Sequence, residues 1–344
     1  MKLRIYTVFS SVFIVSVSIT FFCFIYLSPS KTDKDISSGM GKIFISDKLG
    51  FSQNVFTYQV ARHQQDDALL VAAKKISQKN LTVLVTLIND AYIPFTYSWL
   101  CNTKYMNIHK QVLIISSDEK STEKLKRDWP EISAVYLKGL STSGDQVYSH
   151  AGYVRLMIKR TEALLKLLEN DIEMFLFEVD CLWLRNPMSY LQSHKGYDLL
   201  VNPVSERPGI VAGGFLFMYP TKATKSIWKA LTEQLLKLEN QIKALPPGRQ
   251  ISEGQNDQIF LSNLISHKYA NIKTKNLPLT EFADGKWYKF PEAKRNQLKP
   301  YVINNNWALG NKEKLTRAKK WGHWFLKDDN SCYEDQIKKI VVNS

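Results

Sequence analysis

The sequence predicts an α/β protein: a mostly parallel sheet flanked by helices, behind an N-terminal transmembrane helix. Three observations predict it. From Leu81 onward, short β-branched apolar runs alternate with longer amphipathic stretches, the pattern of a sheet covered on both faces. Ile5 to Leu27 is a run of 23 residues without a charge, which at about 1.5 Å per residue spans a hydrocarbon core of about 30 Å. Hydrophobic residues make up 44% of the 344 and charged residues 23%, enough for a large packed core and too apolar for global disorder.

The N-terminal run is longer than the apolar region of a cleaved signal peptide and lacks a small-residue cleavage site, so a retained anchor is expected. Lys2 and Arg4 precede it, whereas Lys31 and Lys34 beyond it are interleaved with Asp33 and Asp35. The positive-inside rule then gives a single-pass type II protein. Residues 1–4 form a cytosolic tail, 5–27 the anchor, 28–75 a stem and 76–344 a luminal domain. Helical spacing over 51–76 suggests a cap on that domain. The chain carries 46 Lys and Arg against 32 Asp and Glu, a net charge of +14 that favours anionic partners. With the basic body in the lumen, nucleic acid is not expected among them. Asn80-Leu81-Thr82 is a glycosylation sequon. Cys23 falls in the anchor; Cys101, Cys181 and Cys332 suggest one disulfide and one buried thiol, with Cys101–Cys332 the favoured pair.

Strands are expected over 81–88, 111–117 and 132–137, each a β-branched apolar run. Helices are expected over 92–105, 119–128 and 148–169, the last long and amphipathic. Met174 to Leu184 reads as one near-continuous buried strand. Strands over 197–202 and 211–219 and helices over 221–245 and 254–267 complete the domain. Sheets of this kind bind ligands beyond the carboxyl ends of their strands, after Ile88, after Ser117 and at the end of the Met174 run.

That run contains two charged residues, Glu178 and Asp180. Two apart on a strand, they project to one face, and two ionised carboxylates beside a core repel each other and resist desolvation. A divalent metal compensates them economically, and paired hard oxygens suit Mn²⁺ or Mg²⁺. The other reading pairs one acid with Arg185 and leaves the other facing water at a strand end.

Glu178-Val-Asp180, followed by Leu-Trp-Leu-Arg-Asn-Pro, resembles the "DVDxxWLRDP" segment of the nucleotide-diphospho-sugar transferase family, which includes plant cell-wall α-1,3-xylosyltransferases and related arabinosyl- and galactosyltransferases. The resemblance runs from about Leu81 to Leu326. Val83 to Tyr92 is similar to the family's first strand and nucleotide loop, Leu113 to Asp118 to its second strand, Asn256-Asp257-Gln258 to its "DQ" segment, and Val302 to Phe325 to its closing stretch.

The resemblance implies a GT-A fold, a UDP-sugar donor, a glycan or glycoprotein acceptor, a metal ion, retention of anomeric configuration and residence in the Golgi membrane. By position, Asp180 would ligate the metal and Glu178 would hold it through water or contact the ribose. Asn89 and Asp118 would hold the nucleoside, and Asp257 and Gln258 would lie near the anomeric carbon. Gly310, Lys312 and Lys314 open a helix suited to the diphosphate, or else form a solvated basic face. Arg155 and Lys159 would reach the phosphates or make surface ion pairs. None of the six histidines carries a role.

Three departures stand out. Glu178 replaces Asp, Asn304 replaces a metal-binding His and would offer the metal at best its amide oxygen, and Ala212-Gly213-Gly214-Phe215 replaces Asn-Thr-Gly-Phe, where Gly213 and Gly214 still suit a close backbone approach. They keep open a second reading, a catalytically degenerate, membrane-anchored partner of another transferase that binds glycan or nucleotide. A hydrolase using Glu178 and Asp180 is disfavoured, because side chains two apart cannot flank a glycosidic bond.

Overall fold

The computed structural model describes residues 68–79, 81–139 and 143–342. The anchor at 5–27, most of the stem and Asn80 lie outside the described residues. Among those described, no helix is long and apolar enough to cross a membrane.

A seven-stranded sheet carries the domain. Its strands, in chain order, are β1 (Val83–Ile88), β2 (Val112–Ser116), β3 (Ser133–Tyr136), β4 (Met174–Leu176), β6 (Leu199–Pro203), β7 (Val211–Met218) and β8 (Thr274–Asn276); in space they run β3-β2-β1-β4-β7-β6-β8. Four of the six pairings are parallel; β7 is antiparallel to both β4 and β6. A small second sheet orders β5 (Leu182–Trp183), β10 (Val302–Ile303) and β9 (Phe282–Ala283). The helices are α1 (68–77), α2 (Ile93–Thr103), α3 (Glu119–Asp128), α4 (Ala151–Glu169), α5 (Met188–Gln192), α6 (Lys222–Ile242), α7 (Asp257–Ser266), α8 (Glu292–Gln297), α9 (Gly310–Lys320) and α10 (Glu334–Ile337). This is an α/β architecture, a mostly parallel sheet between helices.

Strand alternation builds two cores. Leu84, Phe175, Phe215 and Phe217 point to one face and pack with Trp99 of α2 and Trp183 of β5; Val83, Val85, Met174, Leu176, Leu216 and Met218 point to the other, under α1, α4, α6 and α7. Leu69, Ala73 and Ile76 of α1 join the second core. Truncating one of the buried phenylalanines to Ala should cost about 3–5 kcal/mol through the cavity left behind. Helix starts follow side-chain caps: Asp118 accepts from Ser121 N (2.7 Å), Thr221 from Thr224 N (3.2 Å) and Asn256 from Ile259 N (3.0 Å).

The structure corrects one expected element. Met174 to Leu184 is not one strand. β4 ends at Leu176, Phe177 N makes a last bond to Val85 O, and the chain turns at Glu178–Cys181 (Cys181 N to Glu178 O, 3.2 Å) before β5 enters the second sheet. Two carboxylates cannot continue the apolar face of a central strand, so the polypeptide leaves the sheet where they begin.

Cys101 of α2 is joined to Cys332, Cα to Cα 5.5 Å, and Cys181 is a buried free thiol. The bridge closes a loop across 231 residues of sequence. In the chain-entropy view, bridges over loops this long are worth about 5 kcal/mol, and measured values centre on 2–4. Cys332→Ser should therefore lower the unfolding free energy by about 2–4 kcal/mol in urea titrations under oxidising conditions, with no change under reducing ones. Equal stability of the two proteins when oxidised would show that the bridge constrains nothing.

Candidate active site

The sheet register assembles the site. Asn89 follows β1 and Glu178 follows β4 at one edge of the parallel strands. Because β7 runs antiparallel to β4 with Leu176 opposite Leu216, its first half returns to that edge, and the same register carried two residues further sets Gly214 opposite Glu178. A Cβ on Gly214 would lie 2.5 Å from Glu178 Oε1, so only glycine leaves room for this carboxylate. A Cβ on Gly213 would lie 2.9 Å from Asp257 Oδ2 and 3.1 Å from Gln258 Cβ, which lets the N-terminus of α7 press against β7. From the other side β10, paired with β5, brings Asn304 and then α9 to the acidic turn.

Charge is matched almost entirely within the protein. Lys314 Nζ of α9 lies 2.7 Å from Asp180 Oδ2, and the Asp180 side chain is 1% exposed. Lys314 also donates to Tyr92 Oη at 3.2 Å. Burial opposes its charge, but Asp180, Tyr92 and Glu178 outweigh burial and hold its pKa well above the usual lysine range. Glu178 Oε2 accepts from Asn304 Nδ2 at 3.0 Å. Burial first, and Asp180 second, push the Glu178 pKa up against the opposing pull of Lys314 and Asn304. On the far wall Arg160 of α4 donates to Asp257 Oδ2 (2.6 Å) and to Gly213 O (2.9 Å), an ion pair buried on both sides.

These residues enclose a cleft of about 480 Å³ that Glu178, Gly213, Gly214, Asp257, Gln258, Gly310 and Lys314 all line. An adjoining cavity of about 70 Å³ shares Tyr92, Tyr153, Glu178 and Lys314 and reaches Asn89 and Asp180.

The other expected residues sit elsewhere. Asp118 caps α3 and lines a separate surface pocket with Asp90 and Ser117. Arg155 donates to the carbonyls of Ile242 and Leu245 (2.6 Å each), closing the C-terminal end of α6. Lys159 pairs with Glu162 at 2.6 Å. Neither lines the cleft, and neither does Lys312. Arg185 stacks its guanidinium 4.0 Å from the Tyr301 ring centroid, so it is Lys314, not Arg185, that neutralises an acid of the turn. Sequence reasoning missed Arg160 and Tyr92. Arg160 left a signal: it lies three residues after Met157 and four before Leu164, on the buried side of an amphipathic helix.

The residues fit a divalent cation. Ligand atoms of Glu178, Asp180 and Cys181 lie within 4.8 Å of one another, and the buried Asp180 Oδ1 has no hydrogen-bond partner. Five carboxylates (Asp145, Glu178, Asp180, Glu253, Asp257) face three cations (Arg160, Arg207, Lys314) around the cleft and its adjoining cavity, so an anionic ligand needs a further positive charge to enter. Burial holds the Cys181 thiol protonated, with its pKa raised well above the usual range, which leaves hard carboxylate oxygens as the leading ligands. Asn304 takes a different part. Its Oδ1 accepts from Asn306 N (2.9 Å) while its Nδ2 donates to Glu178, and these two partners fix the amide orientation. In this arrangement Asn304 positions the carboxylate of Glu178.

Two outcomes test this electrostatic account. Arg160→Met leaves Asp257 buried without its partner and should cost about 3–5 kcal/mol of stability, part of which Asp257→Asn added to it should restore. Glu178 has a raised pKa in the folded state, so it costs stability as pH climbs from its ordinary value of 4.5 through the raised value. Glu178→Gln removes that cost, and its stability relative to the parent should grow across the same window. A difference that stays constant with pH would show that Glu178 titrates normally.

The sequence model of the nucleotide-diphospho-sugar transferase family matches residues 107–318. Among characterised proteins, UDP-D-xylose:L-fucose alpha-1,3-D-xylosyltransferase 3 of Arabidopsis thaliana is 26% identical over 294 residues, covering 80% of this chain and 74% of that one. The xylosyltransferase 1 of the same plant is 24% identical, covering 80% and 78%. A beta-arabinofuranosyltransferase of Arabidopsis thaliana is 23% identical, covering 72% and 48%. The matched region contains Arg160, the acidic turn, Asp257 and Lys314, and the chain belongs to the nucleotide-diphospho-sugar transferase family.

Proposed function

We propose that this protein transfers a sugar from a UDP-sugar to a glycan or glycoprotein acceptor in the cleft between the acidic turn and α7. The observation that carries this reading is the convergence of Glu178, Lys314, Asp257 and Gln258 on one cavity, with Asp180 directly behind it. UDP-xylose is the first donor to try, on the similarity to xylosyltransferases. Residence in the Golgi membrane, with the body luminal, is part of the same proposal.

The chain's residues divide the work. Glu178 and Asp180 would hold a Mn²⁺ or Mg²⁺ ion, which, when bound, supplies Lewis-acid stabilisation of the leaving diphosphate. Lys314 adds a fixed ammonium on the same wall, desolvated and already charged, so it needs no reorganisation as the glycosidic bond breaks. Asp257 stays held by Arg160, with its buried Oδ1 unpartnered and available to a sugar hydroxyl. Gln258 accepts from Gly213 N at 3.3 Å through its Oε1, which fixes its amide at the cleft wall. The carboxylates of Glu253 and Asp145 also line the cleft; in a retaining transfer the departing diphosphate itself would take the acceptor proton. Asn89, whose Nδ2 donates to Gly144 O at 2.7 Å, sits at the inner end where the nucleoside would lie.

Hydrolysis of a UDP-sugar panel by the full-length protein with Mn²⁺ tests the proposal directly. Turnover of at least one donor, lost on chelation, is expected. Asp180→Asn should lower transfer by at least about a hundredfold, because stabilising the leaving group is worth several kcal/mol. Glu178→Asp, which restores the commoner family residue, should be milder. Full activity of Asp180→Asn would remove the metal role, and UDP binding without turnover of any donor would favour the non-catalytic reading.

A further inference from the structure

Among the described residues nine large hydrophobic side chains are exposed, and two of them, Trp307 (38%) and Leu309 (69%), line the cleft that holds Glu178, Asp257 and Lys314. The exposure of Trp307 is enforced by its surroundings. Its backbone is in the left-handed region, φ 59°, which disfavours a bulky residue and which glycine would accept freely. Its Nε1 donates to Asp284 Oδ2 at 2.8 Å. Asp284 is itself buried and fixed by Ser205 N (3.0 Å), Ser205 Oγ (2.5 Å) and Lys286 N (3.0 Å). Lys286 Nζ lies 4.2 Å from the indole centroid and pairs with Glu206 Oε2 at 2.6 Å, so one face of the ring is covered. Next door, Asn306 Oδ1 accepts from Gly285 N at 2.6 Å and ties the segment to the same wall. A buried carboxylate, an ammonium and a strained backbone together hold one half-exposed indole rigid at the cleft.

We propose that Trp307, with Leu309 beside it, is the stacking platform for a pyranose ring of the acceptor glycan; this rests on the transferase reading of the cleft. A pyranose has an apolar C–H face and a polar hydroxyl edge. The site offers the complement: a flat rigid ring next to an apolar side chain, with Arg207 and Glu253 on the cleft wall to meet hydroxyls. Ring rigidity lowers the ordering cost of binding, the usual advantage of an aromatic anchor. The nucleoside is assigned to Asn89, in the adjoining cavity that Trp307 does not line, which leaves the indole to the second substrate.

Saturation-transfer NMR on the full-length protein with UDP present, using methyl α-L-fucoside, methyl β-D-galactoside and methyl β-D-xyloside as probes, decides it. At least one probe should receive saturation on its ring C–H protons. Trp307→Gly should cut that signal by at least about fivefold and leave UDP affinity within about twofold, since the ring touches only the acceptor. Thermal melts of Trp307→Gly, in which relief of the left-handed strain opposes loss of the Nε1–H bond to Asp284, check that the variant is folded at the assay temperature. Trp307→Phe keeps a stacking face and should keep most of the signal. Undiminished saturation in Trp307→Gly, no saturation of any probe in the parent protein, or equal loss of UDP affinity in both variants would each overturn the platform. Donor hydrolysis, measured alongside, reports on the transferase reading separately: its absence with Trp307-dependent sugar binding intact would sink that reading and leave the sugar site standing.

Discussion

Glu178 and Asp180 stand at the end of a central strand with little access to water, and the surrounding structure answers to the cost of that charge. Desolvating a carboxylate costs several kcal/mol unless hydrogen bonds and opposite charge replace the lost water. Here the replacements come from distant parts of the chain: Lys314 from α9, the Asn304 amide from the segment after β10, and space on β7 cleared by Gly214. The turn that leaves the sheet at Glu178, the small second sheet that delivers Asn304, and the glycine pair on β7 are parts of one solution to that electrostatic problem.

A second ion pair, Arg160–Asp257, repeats the solution on the opposite wall, and α7 lies close against β7 at Gly213 as Glu178 does at Gly214. The cleft therefore runs between two sets of charges that are fixed before any ligand arrives. In such water-poor surroundings fixed charges act more strongly than in solvent and need no reorientation during bond breaking. The excess of carboxylates over cations around the cleft opposes entry of an anion alone and favours its entry together with a cation.

Much of this was legible in the sequence. Strand and helix order followed from periodicity, because short β-branched apolar runs alternate with longer amphipathic stretches along the chain. Glu178 and Asp180 were legible because charge inside an apolar run is costly anywhere. The turn at Glu178 was not: Phe177, Val179, Cys181 and Leu182 look like strand residues, and only the pairing of β5 with β10, a contact across more than a hundred residues, tells the chain to leave the sheet. Arg155 and Lys159 look as available as Arg160, since their helix faces differ by a rotation whose reference is the position of α6 and α7. The role of Asn304 was hidden for another reason: whether an amide offers oxygen or nitrogen depends on its neighbours, and the Asn306 N–H that decides it is set by a local turn.

The cation that completes the acidic turn lies far downstream of it, at Lys314, and the disulfide that ties the C-terminal segment back to α2 closes later still, at Cys332. During synthesis from the N-terminus, the sheet strands and both carboxylates emerge well before their partners. A nascent chain stopped before residue 314 has a strand end bearing two uncompensated acids and an open second sheet. Such long-range closure is slow relative to local folding. The site therefore cannot close until residue 314 has been made, well after the strands that frame it.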